Sequence, residues 1–340
     1  MRRSYKDKAF CLTKVEENAE NYDKVAEELK EDREIVLAAV GHDKRGWACI
    51  YENLPEKYRS DKEITVAAVR CYGYNLRFAS DEMKADREVV GYAVDNYGWA
   101  LTYSPEDLRN DKELILQAVK SCWNYYEEGL SEEQKKDREI VLAALKSSWR
   151  AWEYVPEEFK HDKEIALEYV RSGGKYGLPK ELEGDYDIAM EWANQGEDKC
   201  LWCADDKWNN DRVIVMTCVS KNGKAYEYAS KRLRVDLEVA ITAAKTAPVC
   251  VMKCAPEELK WNKCFVRYLV EQDPDALVDA PEKYKHDPEI LAVALKHIDT
   301  EIEIGYWYRP RWLEKMSPRD IQAALNYLDE QEQETEKECA

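Results

Sequence analysis

The residues in this chain that could bind a metal, hold an anion or anchor a partner recur at intervals. Cys200 and Cys203 form a C-x-x-C pair, and Cys250 and Cys254 a C-x-x-x-C pair. Paired thiolates are a common start for a zinc site, which needs a second pair or histidines brought close in space. The histidines are His42, His161, His286 and His297, and none neighbours either pair. Aligned on the repeat described below, Cys200 and Cys250 fall in the slot of the small Ala100, Cys203 in that of Tyr103, and Cys218 in that of Ala93. The cysteines therefore read as small buried hydrophobes, and no metal or cofactor is expected.

A second candidate is a line of cations. Arg70, Lys120, Lys146, Arg171, Lys245 and Lys296 each lie nine places after an Asp that opens a segment, and Lys175 follows closely. Stacked side by side, such cations could hold an anionic ligand or an acidic peptide. Glu63, Glu113, Glu139 and Glu164 begin the same segments, so complementation of helix dipoles on a solvated face is the preferred reading.

Large or polar side chains at positions that are small elsewhere make a third set. Ala38, Ala67, Ala143, Thr217 and Thr242 share an outward position that becomes Tyr92, Gln117, Glu168, Glu191 or Tyr268 in other copies. Tyr92 with Asn96 and Trp99 forms the favoured patch, since variation at one outward position is how repeat proteins diversify a binding face. Core packing is an equal reading for each aromatic. Near the C-terminal end, Arg311 and Trp312 take places given to Glu in other copies, beside Tyr306 and Trp307. That composition suits an interaction hot spot. The competing reading has these residues cover the end of the array, as an atypical terminal repeat would. Motifs for catalysis are missing: the sequence has no glycine-rich phosphate loop, nucleophile elbow or H-E-x-x-H. The chain is expected not to be an enzyme.

The element that positions all of these is a repeat. A phrase of Asp, a basic residue, Glu, a branched apolar residue and an Ala/Val-rich run begins at Asp32, Asp61, Asp86, Asp111, Asp137 and Asp162. Weaker copies start at Asp7, Asp185, Asp211, Asp236, Asn262 and Asp287, and a divergent one at Ser317. The steps from Asp7 to Asp287 are 25, 29, 25, 25, 26, 25, 23, 26, 25, 26 and 25 residues. The leading residue is a good helix N-cap, and the Glu two places on suits the positive end of the dipole. Positions 3, 4, 7 and 8 after the cap are apolar, one broad helical face. Gly73, Gly98, Gly174 and Gly223, twelve places after the cap, are read as C-terminal stops. A second, short helix and a Pro- or Ser-started turn complete each unit, as in Trp99 to Leu108. The expected fold is all-α: an α-solenoid of 12–13 repeats forming one domain over 1–340, with repeats at 7–316, a capping helix at 317–328 and an acidic polar tail at 329–340 that frays.

The totals agree. Among 340 residues there are 69 acidic and 51 basic ones, a net charge of −18. Such a surface repels nucleic-acid backbone. No apolar run is long enough to span a membrane, no cleavable secretion signal is apparent, and the eleven scattered cysteines read as reduced thiols in a cytoplasmic setting, with delivery into a host cell by another route left open.

The phrases D-[KR]-E-[IV]-V-L-A-A-V and W-A-L-x-Y-x-P-E-E-L resemble the bacterial and protist repeat known as domain of unknown function 4116. The resemblance runs from about residue 7 to 317, is strongest from Asp32 to Val170, and departs at Asp185 and Asn262, where Tyr186, Asp187 and Cys264 replace the usual charges. It implies a helical-repeat fold and binding in general, with no catalytic residue carried over. The function expected is a non-enzymatic scaffold that recognises a macromolecular partner, a protein, through one face. Two alternatives stand: a binder that sequesters a small anionic metabolite or nucleotide signal on the line from Lys120 to Lys175, stacking it on Tyr92 or Trp99, and an acidic mimic of nucleic acid that occupies a basic groove.

Overall fold

Each repeat opens on a capped helix. In the computed structural model, which describes residues 5–42, 50–203, 207–301, 312–313 and 316–339, the Asp111 carboxylate accepts the amides of Glu113 at 2.9 Å and Leu114 at 3.2 Å. Asp32, Asp61, Asp86, Asp162, Asp185, Asp211 and Asp236 cap in the same way. The side chain thus satisfies amides that a helix start leaves without partners.

The chain divides into two compact units, residues 1–176 and 177–340. Among the described residues the first holds seven long helices: α1 Lys8–Glu17, α2 Arg33–Gly41, α3 Lys62–Cys71, α4 Arg87–Asn96, α5 Lys112–Ser121, α6 Arg138–Ser147 and α7 Lys163–Arg171. Each packs on the next in chain order. The second holds α8 Tyr186–Asn194, α9 Arg212–Lys221, α10 Leu237–Ala244, α11 Lys263–Gln272, α12 Pro288–Glu301 and α13 Pro318–Cys339. Here α8 packs on α9, α9 on α10, α11 on α12 and α12 on α13. Among the described residues there is no strand, and no helix is long and apolar enough to cross a membrane.

Packing follows the stripe. Ile64, Ala68 and Val69 on α3 and Val89, Val90, Ala93 and Val94 on α4 are fully buried. At roughly 1.5–3 kcal/mol per buried aliphatic side chain, neighbour-on-neighbour burial is the main stabilising contribution, which makes each unit a helical-repeat solenoid.

The rest of the repeat differs from expectation in two respects. Several of the long helices stop on an extended residue, such as Tyr72 (φ −150°) or Tyr97 (φ −149°). The glycine that follows starts a 3₁₀ helix: Gly73–Phe78, Gly98–Tyr103 and Gly223–Tyr228. These glycines are therefore not left-handed stops. At Gly98 a Cβ would overlap the carbonyl oxygen of Ala118 in the next repeat and lie 2.8 Å from Ser121 Oγ. Gly73 meets Ala93 and Gly223 meets Ala243 in the same manner. The turn after the second helix is itself helical, as in Glu56–Arg59, Glu257–Lys260 and Glu282–Lys285, and folds Tyr58, Leu259 and Tyr284 into the core. A repeat therefore has three helical pieces, one more than expected.

Irregular steps have visible consequences. After Asp111 and Asp236 the step is 26 rather than 25, and the extra residue widens the second helix. It becomes a π-helical turn at Tyr125–Gly129 and a seven-residue α-helix at Pro248–Cys254, which packs between α10 and α11. At the shortest step, 23 residues from Asp162, the 3₁₀ helix is lost. Tyr169 stands where most repeats have Ala, stacks on Trp152 at 4.5 Å and donates its hydroxyl to the Tyr176 carbonyl at 2.5 Å. Gly173 (φ 101°) and Gly177 (φ 86°) carry the chain through that loop, and the division between the units falls there. The polar C-terminal segment is helical up to Cys339, further than the capping helix expected at 317–328.

Candidate functional site

The basic residue after each cap does not stay with its own helix. Lys62 Nζ lies 2.8 Å from both Asp86 and Glu88 of the following repeat. Arg33 reaches Asp61 at 2.8 Å and Glu63 at 2.6 Å, and Arg87 holds Asp111 and Glu113. Lys8, Lys112 and Arg138 do the same in the first unit, Arg212 and Lys263 in the second. The result is a ladder of cations, each clamping a cap and a first-turn Glu of the next repeat. These are surface pairs, worth at most about 1 kcal/mol each, but their succession fixes the register of the stack.

The ladder electrostatics follow from this geometry. The cation of the preceding repeat holds the carboxyls of Asp32, Asp61 and Asp111 below their ordinary range, aided by first-turn amides. At Asp86, Asp137, Asp162 and Asp236 partial burial is the largest influence and opposes, but the cation and amides outweigh it.

In the second unit rungs are replaced. Tyr186 stands in the basic place of its repeat, and Val213 in the Glu place of the next. Both ends of that rung have become apolar and exposed, 43% for Tyr186 and 57% for Val213. The Tyr186 ring meets Trp208 edge-on at 5.6 Å. Two repeats on, Leu237 takes the basic place and Cys264 the Glu place. Leu237 is 46% exposed, with Trp261, just before the Asn262 cap, at 55%. Intact rungs from Arg212 and Lys263 alternate with these breaks. Water-facing aromatic and aliphatic side chains where the repeat calls for charge are the unit's most unusual surface feature.

The residues singled out from sequence fare differently. Arg70 lies over the Tyr92 ring at 3.9 Å, and Tyr92 bonds Glu88. Asn96 accepts the Gly73 amide at 2.7 Å and donates to the Arg70 carbonyl at 3.2 Å. Trp99 donates to Asn124 at 3.2 Å and meets Tyr125 edge-on at 5.5 Å. Gln117 donates to the Gly91 carbonyl at 3.0 Å and to Asp95. The patch around Tyr92 is thus a joint between repeats, its polar groups engaged inside the fold. Ser121, Cys71 and Thr246, at the Asn96 place in other repeats, bond neighbouring backbone likewise. Tyr268 is half-buried on α11.

Of the basic line, Lys120 and Lys146 come together. With Leu116, Glu139, Leu142, Ala143 and Ser147 they line an open hollow of about 440 Å³ between α5 and α6. Arg171 and Lys175 are exposed but do not line it, and Arg171 lies 4.0 Å from Glu168. The exposed Arg311–Trp312 pair requires correction: Trp312 is only 1% exposed, because its indole is taken into the core rather than offered to solvent, as the end-covering reading requires. Tyr306, Trp307 and Arg311 lie outside the described residues.

Among the cysteines, Cys200 and Cys218 are buried with their sulfurs 3.6 Å apart, and this contact together with burial pushes the Cys218 thiol far up. The small-hydrophobe reading holds for them. It fails for Cys250 and Cys254, which are half-buried. The extra residue of that repeat shifts Val251 and Met252 into the buried places that Ala100 and Leu101 fill elsewhere.

A family model described as "Domain of unknown function (DUF4116)" matches four tandem stretches, residues 44–84, 86–128, 137–182 and 185–234. None of the curated proteins and none of the solved structures matches the chain.

Proposed function

The chain belongs to the DUF4116 repeat family, and from that premise we propose that it is a non-enzymatic scaffold that recognises another protein. The observation that carries this reading is the replacement of charged rung residues by exposed apolar side chains at Tyr186, Val213 and Leu237 in the second unit, with Trp261 exposed just before the following cap. Aromatic and aliphatic anchors ringed by charge are what protein interfaces use at their energetic centre. The carboxylates next to them are occupied as caps and rung partners, which argues for binding over acid–base chemistry. The net charge of −18 favours a partner whose contact rim is basic. The free cysteines support, as part of the same proposal, a reducing, cytosol-like setting.

The test rebuilds the rung. In Tyr186→Lys/Val213→Glu the ladder sequence of the other repeats is restored and the apolar anchor removed. Partners are captured on the tagged chain with a lysine-directed crosslinker and identified by peptide mass spectrometry. A partner crosslinked to the second unit of the wild type should be lost from the variant by about tenfold or more, the effect of removing one anchor of about 1.4 kcal/mol. Undiminished capture of the same partner by the variant contradicts the reading.

The hollow between α5 and α6 favours a second reading, a small anionic ligand held by Lys120 and Lys146. Neither lysine is ion-paired with a carboxylate among the described residues. A nucleotide library should then contain a compound that raises the melting temperature of the wild type and fails to do so for Lys146→Glu; a library that shifts neither protein removes this alternative.

A further inference from the structure

In most repeats the second helix is a 3₁₀ helix, in which residues three apart eclipse and residues four apart diverge. The repeat opened by Asp236 has one residue more, and its second helix is the α-helix Pro248–Cys254. In α geometry residues four apart share a face, so Cys250 and Cys254 stand one above the other. The preceding repeat packs against this helix through its 3₁₀ segment Gly223–Tyr228 and brings in Glu227. One ligand atom from each of the three side chains, two sulfurs and a carboxylate oxygen, lies within 4.8 Å of the others.

We propose that Glu227, Cys250 and Cys254 form a binding site for a thiophilic divalent cation of the zinc class. Tetrahedral zinc takes sulfur at about 2.3 Å and carboxylate oxygen at about 2.0 Å, which sets sulfur–sulfur separations near 3.8 Å by the same geometry. The observed spacing closes to that by small side-chain rotations. The freedom for this exists, since Glu227 is exposed and both cysteines are only half-buried. Two thiolates and one carboxylate around a dication leave a single net negative charge, and water completes the fourth position. Binding releases the two thiol protons to solvent; no oxidation is involved. Burial first, and then the neighbouring Cys254, push the Cys250 thiol up to about 11. Uptake of metal is coupled to release of the thiol protons.

Sequence alone leaves the third ligand hidden, because Glu227 lies 23 residues before Cys250 and becomes a neighbour only through the stack. The contrast with Cys200 and Cys218 is instructive. That pair has sulfurs 3.6 Å apart, yet it is fully buried and no third ligand group joins it among the described residues.

Cobalt(II) is the probe, added to the reduced, full-length chain. One equivalent should give thiolate-to-cobalt charge-transfer absorption and the intense visible bands of a tetrahedral site, release about two protons at neutral pH, and be displaced by zinc(II). Cys250→Ser/Cys254→Ser should abolish the charge-transfer band, and Cys200→Ser should leave it intact. Glu227→Gln, an exposed change that leaves the helices alone, should weaken cobalt at least about tenfold, a loss that even outer-sphere partners of a metal produce. Absence of the band in the wild type, its survival in the double serine variant, or unchanged affinity in Glu227→Gln each overturns the site. Partner capture is a separate readout, so failure here leaves the scaffold reading standing.

Discussion

Gly98→Ala is expected to lower the stability of the first unit by about 2–3 kcal/mol, the cost of forcing an atom into filled space, whereas Gly91→Ala should raise it by about 0.5–1 kcal/mol. The chemical change is identical; the surroundings decide the sign. Gly98 opens a 3₁₀ helix under the backbone of the next repeat, and its new methyl would collide with the Ala118 carbonyl and crowd Ser121. Backbone on one side and a bonded hydroxyl on the other cannot both yield, because Ser121 also donates to the Val94 carbonyl at 2.9 Å. Gly91 sits inside α4, where a methyl finds its nearest neighbour, Gln117 Oε1, at 4.0 Å. There alanine removes only the conformational freedom of the unfolded chain. Urea midpoints of the two variants, read beside the wild type, check both signs. A neutral or stabilising Gly98→Ala would mean that the repeats are not in the close contact described.

The second large effect is in acid. The folded carboxyls of Asp32, Asp61, Asp86, Asp111, Asp137, Asp162 and Asp236 all lie below their ordinary value. A group lowered in the folded state binds its proton more readily when unfolded. Its stabilising contribution is complete above about pH 4, the ordinary Asp value, and is lost as pH falls through the depressed folded value. At the other extreme Lys263, held up at about 12 by Asp287 and then Glu289, contributes fully below its ordinary 10.5 and loses that contribution as pH rises through about 12. The ladder is therefore complete between about pH 4 and pH 10.5. Below that window unfolding should take up several protons together, a slope steeper than the roughly 1.4 kcal/mol per pH unit of a single group. Molar salt should flatten the slope only in part: the ion pairs are screened, but the amide bonds to each cap remain. Denaturant titrations from pH 5 to pH 2 measure this directly, and a slope of one proton or less would show that the carboxylates act independently of the fold.

The helices were legible because their signals are local. An Asp cap, a Glu two places on and apolar residues at 3, 4, 7 and 8 describe a one-sided helix whatever surrounds it, and Asp32, Ile35, Val36, Ala39 and Val40 behave as read. What depends on the neighbouring repeat was not legible. Lys62 and Glu88 read as charges of their own helices, yet they meet across a repeat boundary. Asn96 read as an outward polar residue and is the bond that closes the joint on Gly73. Gly98 read as a stop because glycine often ends helices; its real constraint is the carbonyl of Ala118. One signal for the ladder was available. Where a repeat loses its basic residue, at Tyr186 and Leu237, the next loses its Glu, at Val213 and Cys264. That paired loss is the trace of a contact. Similarly, the one-residue excess after Asp236 warned that the Cys250 slot is not the Ala100 slot.

The alternating breaks can be joints that fold the second unit or surfaces it presents to a partner. Stability and partner capture measured side by side on Tyr186→Lys/Val213→Glu separate the two most directly. If the repeats are held by buried stripes and charged rungs, and the apolar break serves recognition, the variant should unfold at the same urea concentration as the wild type or a higher one while capture falls. A variant that unfolds earlier yet still holds its partner would show that Tyr186 and Val213 belong to the framework, and that recognition lies elsewhere on the chain.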